Sequence, residues 1–331
     1  MNSSKANRRY RGSCQNGLTI VELMIALTLG LFVVLTATGL LVTAKTSYIM
    51  QAEATRLDDT GRFANGQISR ALRQSGYRNR DPDEGPVLPD GAIGTNVMGL
   101  DASGLQSDAE ALTPVPSSAV NGSDVLAVRF FGVGGGVGDG SMLNCAGFSV
   151  GVSALSADGS DQRGWSIFYV AKDATGEPEL RCKYQGKSGW TSDAIARGVE
   201  SFQVLYGVDL DSDGLPDRFV NARAIDAMAG TGAPVKQGAT SGVAGLPASS
   251  GWTNVVEVRI AMLIRGAQGS AHPSAPSRFE LFGAAYGSDE ADNDPGAVIV
   301  ESNLPASAKN RLRKVFRFSV QLRPATGGVT S

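Results

Sequence analysis

The sequence predicts an α+β fold, one long N-terminal helix followed by an antiparallel β-rich domain. Three observations carry this. Leu23 to Val42 is a run of twenty residues without a charge. After it, Ile49, Glu53, Leu57, Thr60, Ala64, Ile68, Leu72 and Ser75 recur every three or four residues, the spacing of one helix face. Beyond residue 123, apolar residues fall instead in short runs rich in Val, Ile, Phe and Tyr, separated by Gly-, Ser- and Asp-rich segments.

The uncharged run is the first element. At about 1.5 Å per residue it spans roughly 30 Å as a helix, one bilayer core. It follows a polar leader of 17 residues that holds Lys5, Arg8, Arg9 and Arg11, no acid, and ends at Gly17. By the positive-inside rule this predicts a cytoplasmic N-terminus in the inner membrane, with the bulk of the chain across it. A secretory signal has a shorter apolar region followed by small residues at its cleavage site. A plain signal anchor and a buried core helix are the other ordinary readings. Glu22 separates them, because a carboxylate in an apolar helix is costly in lipid unless it finds a partner. If the chain is cut after Gly17, Leu18 carries a new amine. Glu22 then lies one helical turn from it, near the amines of its own and neighbouring chains, and such pairing offsets burial and fixes axial register.

The helix is expected to continue to about Ser75, with Gly61 and Gly66 weakening its middle and Gly76 as its C-cap. The resulting organisation is a cleaved leader at 1–17, a transmembrane and assembly helix at 18–44, an amphipathic continuation at 45–77, and a periplasmic or extracellular β-rich domain at 78–331. Residues 78–123 read as loops with one short strand. Strands are expected at 124–131, 165–171, 179–184, 199–206, 218–220, 255–265 and 313–323. The last alternates apolar and polar residues and should close the sheet with one face wet. The glycine-rich stretch 132–140 lacks the Lys-Ser/Thr of a phosphate loop and precedes no helix signal. Residues 226–252 read as loop.

Composition excludes several functions. A hydrophobic content of 42% argues against global disorder. A net charge of −2 supplies no basic field for nucleic acid. The one histidine, His272, rules out a His-Glu-x-x-His zinc enzyme and any site of several imidazoles. No acid/base pair or activated nucleophile stands out, so no catalytic residue is assigned and the chain is read as a non-enzyme. Cys14 lies in the leader. Cys145 and Cys182 remain, an even pair outside the cytoplasm, and compartment predicts a disulfide between them. It would close a loop of nearly forty residues and contribute about 3–4 kcal/mol.

The acidic segment Asp209-Leu-Asp211-Ser-Asp213-Gly214-Leu215-Pro-Asp217 matches the first nine places of an EF-hand calcium loop. Asp209, Asp211 and Asp213 take positions 1, 3 and 5, Gly214 the turn, Leu215 the carbonyl position, and Asp217 position 9. Position 12 is Val220 rather than the bidentate Glu, and the flanking signals are strands. Two readings stay open, a calcium site and a solvated acidic turn.

Gly17-Leu-Thr-Ile-Val-Glu22-Leu-Met-Ile-Ala-Leu resembles the signal of type IV prepilins and pseudopilins: a short basic leader, Gly, a hydrophobic residue, and Glu at the fifth mature place of an apolar helix. The resemblance implies cleavage between Gly17 and Leu18 by a prepilin peptidase, which also methylates the new amine. Gly39 stands where major pilins usually have Pro, so the chain leans towards a minor subunit. The segment from Arg56 to Tyr77, with Gly61-Arg62-Phe63-Ala and Leu72-Arg73-Gln-Ser-Gly76-Tyr77, resembles the PilW family of minor pilins, and the likeness is strongest over Leu18 to Tyr77. Strands from 199 onward are similar in order. The resemblance implies a pilin-like fold. It also implies pilus assembly and priming with other minor pilins and the major pilin, at or near the tip beside an adhesin, with links to twitching motility and adhesion on the cell surface. A minor pseudopilin of type II secretion shares the leader, and a membrane-anchored enzyme or ligand-binding protein is the remaining alternative.

Overall fold

The computed structural model describes residues 17–77, 95–152, 163–229, 251–271, 277–289 and 293–323. The leader through residue 16, with Cys14, lies outside them, as does His272. The chain forms two compact units, Met1–Gln51 and Ala52–Ser331. Helix α1 (Ile20–Gln74) contributes residues to both.

In the first unit the helix is apolar on every side. Leu23, Ile25, Leu31, Val33 and Leu40 are each more than half exposed, so there is no polar face to turn to water, and lipid or other helices suit it. Its hydroxyls are satisfied internally. Thr28, Thr36 and Thr38 donate to the carbonyls of Ile25, Val33 and Leu35, and Thr43 and Thr46 to those of Gly39 and Val42. In hydrocarbon, where no water can serve, this removes the cost of an unpaired donor.

In the second unit the rest of α1 buries Leu57, Gly61, Ala64, Ile68, Ala71 and Leu72. The expected stripe thus holds from Leu57 onward. Ile49 is 43% exposed, and Gly61 rather than Thr60 occupies the buried place. Gly61 is the point of closest approach rather than a weak point: a Cβ there would lie 2.4 Å from the Phe316 ring. Gly76, at φ +71°, ends the helix as expected.

After the helix come β1 (Val97–Leu100), β2 (Gly104–Leu105), β3 (Pro114–Val115), β4 (Val125–Phe130), β5 (Gly164–Lys172), β6 (Pro178–Gly186), β7 (Gly189–Arg197), β8 (Val199–Val208), β9 (Arg218–Val220), α2 (Ala222–Ala229), β10 (Val255–Arg265), β11 (Arg278–Glu280), α3 (Ala284–Asp289), β12 (Val298–Val300) and β13 (Arg313–Gln321). The α+β class is as expected, but the strands divide between two main antiparallel sheets, ordered β1-β4-β5-β6-β7 and β13-β10-β8-β9, with small ribbons β11-β12 and β2-β3. The break is Gly198, the single residue between β7 and β8. It sits at φ +78°, and a Cβ there would meet the Arg265 carbonyl oxygen at 2.6 Å. A side chain is excluded on both counts.

Residues 78–123, read as loops with one short strand, instead hold three, β1, β2 and β3. β7, where the sequence predicts no strand, is an edge strand whose side chains are mostly exposed, so it carries no apolar run, and the stretch 226–252 read as loop is helical in its first four residues, the end of α2. The wet face expected of β13 holds at Arg317, Ser319 and Gln321, which are exposed, but the start of that face is covered. The excursion between β10 and β13 lays Leu281, Ile299, Leu304 and Ala308 over Ala261 and Leu263, with Val315 against them. Arg317 donates to the carbonyls of Glu280 and Leu281. The other face of β10, with Val258, Ile260, Met262 and Ile264, joins the main core with Ile68 and Leu72 of α1. Burial on both faces is why 255–265 reads as a nearly continuous apolar run.

A buried ionic network ties these layers. Arg313 binds Glu200 at 2.6 Å and Glu301 at 2.9 Å; Arg265 binds Glu200 at 3.0 Å and Glu177 at 2.7 Å; Arg311 binds Glu177 at 2.9 Å. Partial burial pushes the Glu177 carboxyl up, but the bonds and charges of Arg265 and Arg311 outweigh it and hold it below its ordinary range.

The two helix glycines should respond oppositely to alanine. Gly66 has open space around its Cβ position, so Gly66→Ala should stabilise by about 1 kcal/mol through propensity. Gly61→Ala should destabilise by about 1–3 kcal/mol through overpacking against Phe316. Thermal unfolding of the purified chain checks both signs.

Candidate assembly helix and acidic loop

Gly17 and Leu18 precede the helix in non-helical, exposed backbone, where a peptide bond is accessible. Thr19 is the N-cap. Its backbone N–H donates to Glu22 Oε2 at 2.9 Å and its hydroxyl to the same oxygen at 3.0 Å, while the Glu22 N–H donates to Thr19 Oγ1 at 3.2 Å. This is a reciprocal capping box. The pattern Thr-x-x-Glu was readable in the sequence, and it gives Glu22 an intrachain partner that the reading from charge alone missed. The box lies wholly C-terminal to the Gly17–Leu18 bond, and its bonds to the glutamate both end on Oε2.

Cys145 and Cys182 form a disulfide, 37 residues apart. Cys182 sits in β6, opposite Phe168 of β5; Cys145 lies in the segment before β5, its N–H donating to Ser166 Oγ. Both are buried.

The acidic loop joins β8 to β9, which makes it a hairpin connection and not a helix–loop–helix. Asp209 N–H bonds the Asn254 carbonyl and Asp217 N–H the Val208 carbonyl, fixing both ends. Inside, Asp209 accepts from the N–H groups of Ser212 (2.6 Å) and Gly214 (3.1 Å), and Asp217 from Leu210 (2.6 Å). Ser212 and Gly214 take φ values of +69° and +89°. One oxygen each from Asp209, Asp211 and Asp217 lies within 4.8 Å of the other two. Asp213 stands outside this trio and turns its carboxylate to the Leu215 N–H. The Leu215 side chain is exposed. Val220 at position 12 is in β9, paired with Tyr206. Of the five residues expected to hold a cation, three converge.

Residues 167–324 match a family described as Type IV Pilus-assembly protein W. A type IV-like pilin from Thermus thermophilus is 16% identical, aligning with 82% of this chain and 97% of its own at a TM-score of 0.34, a superposition too loose to add to the topology above. No curated protein matches the chain. The family match runs from β5 to the end of β13. It therefore falls on the strands rather than on the helix, where the sequence likeness looked strongest, and it is independent of Gly17, Glu22 and the apolar run. Over residues 167–324 the chain is thus similar to the type IV pilus-assembly protein W family.

Proposed function

We propose that the chain is a minor pilin that takes part in priming type IV pilus assembly with other minor pilins, at or near the fibre tip, in support of adhesion and twitching motility. The observation that carries this is the capped, all-round apolar helix that begins at Ile20, three residues after Gly17, with Glu22 in its first turn. The match over 167–324 supports it from a separate part of the chain.

In this reading a prepilin peptidase cuts between Gly17 and Leu18 and methylates the new amine. The helix then holds the subunit in the inner membrane, N-terminus on the cytoplasmic side and β domain in the periplasm. Extraction into a bundle of helices exchanges lipid contacts for helix contacts, at little cost because both surroundings are apolar. The neighbour's amine neutralises Glu22 through Oε1 while Oε2 keeps the cap. The acidic loop takes calcium through Asp209, Asp211 and Asp217, weakly, in the submillimolar to millimolar range expected of extracellular sites.

Mass spectrometry of the processed chain should find Leu18 as the first residue; an intact Met1 end or a cut elsewhere overturns the pilin reading. Glu22→Gln keeps the cap, since glutamine serves at that position, and removes the charge. Membrane insertion should persist while entry into pili falls as far as in Glu22→Ala. Normal entry of the Gln variant would reduce Glu22 to a helix cap. Co-purification with secretin-system components in place of pilus fibres would favour a type II pseudopilin. For the loop, isothermal titration should show calcium uptake that Asp211→Asn weakens at least tenfold, the loss of one charged ligand; no heat and no shift in Tm would leave a solvated turn.

A further inference from the structure

A second group of acids lies inside the β domain, far from the 209–217 loop in sequence. β1 and β4 pair with Leu100 opposite Val125, so Asp101 and Asp124 flank the end of that ladder. Asp294, from the segment before β12, joins them: one oxygen from each of the three carboxylates lies within 4.8 Å of the others. Asp124 and Asp294 are each 1% exposed.

The backbone holds these groups in place. Asp101 accepts from the N–H groups of Ala222 (2.9 Å) and Arg223 (2.7 Å) in the first turn of α2. Asp124 accepts from Ala102 (3.0 Å) and Val204 (2.9 Å). Asp294 accepts from the Tyr286 hydroxyl at 2.9 Å and the Asn221 amide at 3.5 Å. Among the described residues no lysine or arginine forms an ion pair with any of the three. The Arg223 side chain acts on Asp101 and Asp294 only as a nearby charge.

The second observation is Tyr206. It is 1% exposed, and its hydroxyl has no hydrogen-bond partner among the described residues. A Cβ placed on Gly99 would lie 1.9 Å from that oxygen and 2.7 Å from the Val125 carbonyl oxygen. The hydroxyl therefore reaches the same end of the β1–β4 ladder, two residues from Asp101 and next to Asp124. Burial, then the charges of Asp124, Asp101 and Asp226, hold its phenol well above the ordinary value, so it stays protonated. Burial likewise pushes the Asp124 carboxyl well up and Asp294 to about 6.

We infer that Asp101, Asp124 and Asp294 form a buried site for a divalent cation, with calcium the preferred ion, and that Tyr206 faces the cation or a water bound to it. An all-oxygen donor set, anionic once the ion displaces its protons, selects a hard cation. A 2+ charge removes the repulsion that three converging carboxylates otherwise impose. The site would clamp four segments together: the β1–β4 end, β8, the start of α2, and the strand-preceding turn at 293–297. Asp101, the least buried of the three acids, gives the ion its way in.

The test uses the full chain in detergent, treated with EGTA, carrying Asp211→Asn and Asp217→Asn to silence the exposed loop. Calcium chloride at millimolar concentration should raise Tm by roughly 3–6 °C. Terbium should give luminescence sensitised by Tyr206 and Trp252, whose rings lie 4.7 Å apart, and calcium should compete it away. Adding Asp294→Asn should abolish the calcium shift yet leave the EGTA-treated protein as stable as its parent or more so. A parent with native circular dichroism but no calcium shift and no sensitised terbium emission overturns the site. So does a calcium shift that survives Asp294→Asn. If calcium is ignored while Asp294→Asn raises Tm, the cluster holds a proton instead, which also overturns it. The terbium readout needs no core substitution, so misfolding of a variant leaves the proposal open to refutation.

Discussion

The β domain is organised by one face of α1. Leu57, Gly61, Ala64, Ile68, Ala71 and Leu72 recur at helical spacing and are buried, and five of them share a core with residues of both main sheets, among them Ile167 of β5, Phe202 of β8 and Val258 of β10. Each sheet needs an apolar surface to bury its inner face. Gly61 sets how near β13 comes, because the Phe316 ring fills the space a side chain would take.

The same helix meets two solvents. In its N-terminal part Thr28, Thr36, Thr38, Thr43 and Thr46 bond the helix's own carbonyls, and the Thr19–Glu22 box closes its first turn. That part needs no water and no fixed partner to satisfy its polar groups, which suits an apolar setting of any kind. Its C-terminal part is amphipathic and depends on the sheets. The switch occurs with no break in hydrogen bonding, through side-chain choice alone.

Local pattern made the helix, its C-terminal stop at Gly76 and six of the longer strands legible, because each is marked within one stretch of chain by helical or alternating spacing, by a short apolar run or by a helix-ending glycine. What was not legible depended on distant segments. β7 carries Trp190, Ser192 and Ala196 inward among exposed neighbours, too few apolar residues to stand out. The outer face of β13 stays wet at Arg317, Ser319 and Gln321, as its alternation implies, but the returning chain covers Val315 and sets Glu301 on Arg313. The EF-hand spacing at 209–217 marked the acidic loop, but Asp213 turned to Leu215 instead of to the centre. Asp101, Asp124 and Asp294 have no shared spacing at all; only the strand pairing and the returning loop bring them together.

The Cys145–Cys182 bond closes off 37 residues of chain, including all of β5. Fully extended, that stretch would measure roughly 120 Å. A subunit pulled from one end cannot release this length however far its sheets are torn apart. In a fibre of the kind proposed above, the crosslink would cap how much a protomer can stretch under mechanical load before the strain passes to the next one, and oxidation state would set fibre compliance.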